Sequence, residues 1–324
     1  MALALSFIIV IVSAVIVLLM ANYALKSSVS IAKKFKMSDE FIGMTILSIG
    51  TSLPEIITHV VGSFEILVQP SLMNSISALV VGTNIGSDIF QQNFIIAVVA
   101  LIGIIVVERK HLLKDVGGLI AASALLLLFS YNGFISKLEG GVLFFGYIAY
   151  LFVLKKYGMV KGEKTEHKAH DKTWKHVVIV LSSFVIMAFA ADKMLNHSVI
   201  LVKQLPISAS FFGVILLGIA AAFPELMTSL IAIFKRKARI SAGVLIGSNI
   251  TNPMFALGLG AMISSYTVPK VVIWYDLPIK IATALLILWF LWKGRIKKWE
   301  AGVMIFLYIA YLFFRNMYFP VDII

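Results

Sequence analysis

The chain predicts an all-α integral membrane protein: ten transmembrane helices in two inverted five-helix repeats, with helices 2 and 7 broken. Three observations carry this. Of the 324 residues 60% are hydrophobic and 14% charged, with a mean hydropathy of +0.98, which does not describe a soluble domain. Apolar runs of about 20 residues, enough to cross a bilayer, recur along the whole length. Segments of the first half also reappear in the second.

The runs fall at roughly 3–25, 40–67, 72–106, 112–131, 138–155, 175–203, 208–234, 240–268, 274–293 and 299–317. The first, Ala2 to about Leu25, has no basic n-region and exceeds a signal-peptide core of about 7 to 15 residues, so it is expected to be retained as a helix. A single long hydrophilic stretch, Lys155 to Lys175, divides the chain five spans from five: an N-terminal repeat 1–154, a linker 155–175 and a C-terminal repeat 176–324. With no cysteine, disulfides and thiolate metal ligands are excluded.

Charge sets the orientation. The formal net charge of +12 would suggest nucleic acid in another setting, but here the basic residues lie between apolar spans, so lipid is the expected partner and nucleic acid is not. One side of the alternating loops holds 22 of the 28 Lys and Arg. Lys137, Lys193, Lys203, Lys270, Lys280 and Arg315 fall on the other. The positive-inside rule then puts the linker in the cytoplasm and both termini outside, with the plasma membrane the expected location.

At a constant offset of 170, Phe41, Gly43, Leu47, Ile49, Pro54, Glu55 and Thr58 recur as Phe211, Gly213, Leu217, Ile219, Pro224, Glu225 and Thr228. At an offset of 165, Gly82, Asn84, Ile85 and Phe90 recur as Gly247, Asn249, Ile250 and Phe255. An odd number of spans per half turns the second copy upside down. Inverted repeats of this kind characterise secondary transporters, whose sites lie at the midplane where interrupted helices meet.

Each repeat places a Pro-Glu step inside an apolar span. An ionisable group at bilayer depth costs about 2.5–3.5 kcal/mol on insertion scales and usually lines an ion or substrate path. Proline removes a backbone donor and breaks or kinks the helix just before the glutamate, freeing carbonyls as ligands. Ser48, Thr51, Ser52, Thr83, Asn84, Ser87, Ser248, Asn249 and Asn252 add short oxygen-bearing side chains. Such oxygen sets suit hard cations such as calcium and sodium. No Cys or His cluster suggests zinc, and no HExxH motif suggests a metalloenzyme.

With GTSLPE at Gly50 to Glu55 and AAAFPE at Ala220 to Glu225, the sequence resembles the sodium/calcium exchangers of the calcium/cation antiporter superfamily. The resemblance implies two inverted five-helix halves. It implies calcium bound by Glu55 and Glu225 with the backbone carbonyls of Thr51 and Ala221. Sodium would share those carboxylates and use Thr51, Ser52, Thr83 and Ser248, while Ser87 and Asn252 flank the central site. Ser48 and Gly218 complete the candidate set. The cargo would be Ca²⁺ and Na⁺ with no cofactor, in a monomer that exchanges by alternating access as the first and sixth helices slide past the core.

Ala221 and Ala222 depart from the family pattern. A backbone carbonyl survives alanine and a hydroxyl does not, so reduced sodium stoichiometry, or protons in place of sodium, is expected. His59, one turn after Glu55, and Asp88, beside Ser87, are the candidates for proton coupling. Both also have plain structural readings: a histidine bonding a neighbouring helix, and an aspartate whose counterpart is Pro253. Asp192 and Lys193 read as a solvated pair near the outer face. A cation channel and a drug or metabolite transporter are the competing functions.

Overall fold

Backbone N–H and C=O groups in lipid must be satisfied within the protein, which favours helices. The computed structural model, which describes residues 2–34, 45, 47–103, 109–156, 173–236 and 238–323, is almost entirely helical. Its order is α1 (Ala2–Lys34), α2 (Ser48–Thr51), α3 (Leu53–Val68), α4 (Met73–Phe90), α5 (Ile96–Ile102), α6 (Arg109–Ser130), α7 (Lys137–Lys156), α8 (Thr173–Gln204), α9 (Ala209–Phe212), α10 (Ile219–Ala221), α11 (Phe223–Phe234), α12 (Ala238–Thr251), α13 (Gly258–Ser264), α14 (Leu277–Trp292) and α15 (Lys298–Tyr318). Wide π-type turns at Gln91–Ile95, Gly213–Gly218 and Asn252–Leu257 join α4 to α5, α9 to α10 and α12 to α13 without ending the span.

Among the described residues, eight helices are long and apolar enough to cross a membrane, and Val116–Ser130 is a shorter apolar one. The expected second span, 40–67, is represented by α2 and the sixteen-residue α3; residues 40–44 and most of the linker lie outside the described residues. At about 1.5 Å per residue, the 33-residue α1 exceeds a bilayer core of about 30 Å.

One expectation needs amending. The chain is not purely helical: β1 (Phe134–Ile135) and β2 (Tyr266–Thr267) pair antiparallel, with Phe134 opposite Thr267 and Ile135 opposite Tyr266. Strands of two residues are too short to carry an alternating pattern. The bridge forms because Gly133, at φ +84°, turns the chain so that its carbonyl accepts the Val268 N–H at 2.8 Å.

The bridge sets Tyr266 into the core. Its hydroxyl lies 2.7 Å from Ser63 Oγ and 3.2 Å from His59 Nδ1, and donates to the His59 carbonyl at 3.0 Å. Tyr266→Phe leaves those groups short of a partner and is expected to destabilise the fold by about 1–3 kcal/mol, read as a lower melting midpoint in detergent, with transport retained.

Helix α4 is buried without interruption from Ile76 to Phe90. It meets the Gly213–Gly218 turn backbone to backbone: a Cβ added at Gly86 would lie 2.4 Å from Val214 Cα, and one at Gly213 would lie 2.5 Å from the Leu79 carbonyl oxygen. The reciprocal contact joins α3 to α13, where Ser63 Oγ donates to the Gly260 carbonyl at 2.8 Å. Each interrupted segment therefore packs against a helix of the other half.

Helices α1 and α8 lie along one another. Val17 packs with Ala190 and Ala191, Ala21 and Ala24 with Met187, and Ser6 Oγ lies 3.1 Å from His197 Nδ1. Small side chains permit that close approach. Asp192 and Lys193 pair at 3.3 Å and are part-exposed, as a solvated pair should be.

Two basic residues counted toward the outer loops are instead fully buried. Arg315 holds Asp276 in a two-pronged ion pair, with Nε 2.8 Å from Oδ1 and Nη2 3.0 Å from Oδ2, and also donates to Ser210 Oγ at 2.7 Å. Lys280 pairs with Asp88. Burial inside helices takes both out of the loop count, which leaves four basic residues opposite the 22.

Candidate cation site

The site begins with two prolines. Pro54 and Pro224 have no N–H to give the carbonyls four residues earlier, at Gly50 and Ala220. A single residue separates α2 from α3, Ser52 (φ −81°, ψ 6°), and another separates α10 from α11, Ala222 (φ −78°, ψ 0°). The near-identical angles reflect the same local chemistry in both copies. Glu55 and Glu225 then sit in the first turn of the resumed helices, where unpaired N–H groups and the helix dipole favour negative charge.

Both glutamates are fully buried. Glu55 Oε1 accepts a hydrogen bond from Ser87 Oγ at 2.7 Å, and Oε2 has no partner. The Thr51 and Ser52 hydroxyls stand beside Glu225, yet neither of its oxygens accepts a hydrogen bond of standard geometry. Glu225 and Asp88 both act on Glu55 through like-charge repulsion, and Asp88 acts on Glu225 in the same way. Three acids from α3, α11 and α4 thus share one electrostatic neighbourhood.

Neutral oxygens surround them. Ser52 Oγ, Asn84 Oδ1 and Asn252 Oδ1 are buried and unpartnered. Thr51 Oγ1 donates to the Ser48 carbonyl at 3.2 Å, and Thr83 Oγ1 to the Leu79 carbonyl at 2.7 Å. A hydroxyl that gives away its hydrogen keeps its lone pairs for a ligand. Ser48 Oγ lies 3.1 Å from Thr251 Oγ1 across the halves. Gly218 presses on α4: a Cβ there would lie 2.8 Å from the Ser87 nitrogen and 3.0 Å from the Thr83 carbonyl oxygen. Ala221 and Ala222 are buried where the other repeat carries Thr51 and Ser52.

Gln91 ties Ser87 to Ser248 and escaped the sequence reading. Its Nε2 donates to Ser87 Oγ at 3.1 Å while its Oε1 accepts from Ser248 Oγ at 2.5 Å and Asn249 Nδ2 at 3.1 Å. Because the amide donates to Ser87, the serine hydrogen is directed onto Glu55. Its one signal in the sequence is an amide one turn beyond Ser87 in an apolar span. Asn252 Nδ2 donates to Asp88 Oδ1 at 2.8 Å, and Asn84 Nδ2 to the Asn252 carbonyl at 2.8 Å.

His59 is turned elsewhere. Its ring packs on Tyr266 at a centroid distance of 5.6 Å, and its Nδ1 lies 3.2 Å from that tyrosine's hydroxyl. Lys280 was also missed as a site neighbour, although the span 274–293 contains it and an ammonium inside an apolar run is itself a signal. Among the described residues, no three His, Cys, Asp or Glu cluster as a conventional metal site. The arrangement offers two carboxylates and a surround of neutral oxygens, which suits a cation that binds and leaves.

The profile of a family described as sodium/calcium exchanger protein matches residues 5–156 and 175–317, most of the chain. The chain belongs to that family. As a sodium/calcium exchanger family member it is a cation-exchange antiporter of the membrane, a transporter and not an enzyme. It is 26% identical to the sodium/calcium exchanger MaX1 of Methanosarcina acetivorans, over 95% of this chain and 97% of that protein. It is also 26% identical to the uncharacterized membrane protein MJ0091 of Methanocaldococcus jannaschii, over 89% of this chain and 91% of that one. Its fold matches a structure of the sodium-calcium exchanger NCX_Mj soaked with Na⁺ and Sr²⁺, with a TM-score of 0.66 at 23% identity, covering 95% of this chain and 97% of that one. The family match spans both Pro-Glu breaks and every candidate site residue.

Proposed function

We propose that this exchanger family member moves calcium against sodium by alternating access, with Glu55 and Glu225 as ligands shared by the two ions. The observation that carries the reading is a buried carboxylate pair, at helix breaks in the two repeats, with three of its four oxygens free of hydrogen bonds. Buried acceptors are otherwise nearly always partnered, so unpartnered ones converging in one place call for a cation. The carbonyls of Thr51 and Ala221 and the oxygens of Thr51, Ser52, Thr83, Ser87, Ser248 and Asn252 complete the ligand pool, with Ser48 and Gly218 shaping it.

Two ionised glutamates carry about −2 charges in a poorly polarisable setting. Reorienting the empty site is then costly, while one Ca²⁺ or several monovalent ions would neutralise it, which makes exchange obligatory. The α1–α8 pair, packed on itself through small side chains, is the unit that slides across the rest. Repeats 1–154 and 176–324, joined by 155–175, form two inverted five-helix halves. The cross-packing of α3 on α13 and of α4 on the Gly213–Gly218 turn supports that symmetry. We place the protein in the plasma membrane as a monomer; the loop charges support a cytoplasmic linker with both termini outside.

Purified protein in liposomes tests this. Uptake of ⁴⁵Ca²⁺ is expected to rise at least tenfold with an opposing sodium gradient. Uptake indifferent to any opposing ion would mean a channel and overturn the proposal. A calcium/proton variant is favoured by Ala221 and Ala222, which supply no hydroxyls for sodium. It is the correct reading if a pH gradient drives uptake and sodium does not. His59, turned toward Tyr266, and Asp88, engaged by Lys280, are its candidate proton carriers.

A further inference from the structure

Lys280 lies inside the span Val272–Trp292, where a lysine ordinarily snorkels outward to water. Here its side chain is fully buried, and Nζ sits 2.5 Å from Asp88 Oδ2, also fully buried. The other Asp88 oxygen accepts from Asn252, and Asp88 follows Ser87, the hydrogen-bond donor to Glu55. Asp88 acts as a like charge on Glu55 of α3 and on Glu225 of α11. The Thr283 hydroxyl, one turn along α14, bonds to the Lys280 carbonyl at 3.2 Å and to Gln92 Oε1 at 3.0 Å, which holds that turn against the Gln91–Ile95 segment.

We propose that Lys280 is a built-in monovalent cation of the transport site, tethered to Asp88, which fixes the number of ions the site must take. With three carboxylates ionised and one ammonium present, the cluster carries a net −2, the charge one Ca²⁺ cancels. Without the ammonium it carries −3, and calcium alone leaves it unbalanced. Lys280 thereby sets the cation count per cycle without touching the cargo. The inference rests on the site proposed above and on the Lys280–Asp88 geometry, which the site assignment did not use.

The test is ⁴⁵Ca²⁺ exchange for ⁴⁰Ca²⁺ in liposomes, with choline as the only monovalent cation or with K⁺ or Na⁺ added on both sides. Wild-type exchange is expected to be indifferent to K⁺. Lys280→Met should exchange at least tenfold more slowly in choline and recover several-fold with added K⁺ or Na⁺, since a free cation replaces the lost ammonium. Asp88→Asn, which leaves the ammonium unpaired beside the site, should lose calcium exchange at least tenfold without recovery. The neutral pair Asp88→Asn/Lys280→Met restores the −2 balance and should return to within about threefold of wild type, independent of K⁺. Lys280→Arg, which keeps the charge, should also be indifferent to K⁺.

Folding is read from monodispersity in detergent. Where Lys280→Met is not recovered folded, Lys280→Gln, which can still donate to Asp88, carries the same comparison. Equal exchange in all variants, or a loss in the neutral pair as large as in Asp88→Asn, overturns the proposal. A wild type that exchanges calcium normally alongside such results leaves the exchanger reading intact, so the two failures are distinguishable.

Discussion

Glu225→Gln is expected to abolish calcium exchange while leaving the fold as stable as wild type or more so. The carboxylate is buried with neither oxygen hydrogen-bonded, a costly arrangement that persists only if something else is gained. The isosteric amide keeps the volume and removes the charge. The melting midpoint in detergent should therefore hold or rise. Transport should fall at least 100-fold, because the proposed site loses one of the two charges that would balance the divalent ion, and charge-assisted contacts are worth about 1.5–3 kcal/mol each. Glu55→Gln should lose transport as fully but gain less stability, because Ser87 already satisfies one of its oxygens. Equilibrium ⁴⁵Ca²⁺ exchange beside thermal melting reads both. Normal exchange in either variant would remove that residue from the site.

Gly86→Ala should be among the costliest single methyl groups that could be added at the described glycines. Its Cβ would meet Val214 Cα at 2.4 Å, and the atoms in the way are backbone that no rotamer change can move. Overpacking of this kind costs about 1–3 kcal/mol where side chains can yield, and here the whole Gly213–Gly218 turn must shift. That turn leads directly to Ala222 and Glu225, so exchange should fall together with the melting midpoint. Gly302→Ala is the control: nothing lies within 4 Å of the new Cβ, and removing a helical glycine favours the folded chain by about 0.5–1 kcal/mol. A Gly86→Ala protein with wild-type melting and transport would mean that α4 and the turn do not pack as described.

Much of the site was legible because bilayer depth makes polar atoms rare and conspicuous. Glu55 and Glu225 announce themselves as acids in apolar runs, and the adjacent prolines announce the helix breaks. Ser87 and Ser248 were also legible as short polar side chains, but their connection was not. It runs through Gln91, whose donor and acceptor ends reach different halves, and nothing in the linear order says which way an amide will face. Lys280 shows the opposite limit. By position it belonged to the outer face, and only the arrival of Asp88 from α4 gives its charge a reason to turn inward. The β1–β2 bridge is illegible for a third reason, since two-residue strands have no period to detect.

By itself the sequence determined the mostly helical, membrane-spanning character of the chain and pointed to the chemical type of the candidate site, because hydropathy and proline act locally and hold wherever the chain lies. Only the tertiary structure decided which oxygens keep partners and which stay open, and that Asp88 is neutralised from within. Hydrogen bonds and ion pairs reach across about 3 Å, and residues separated by 157 to 192 positions come that close only after the two halves have packed.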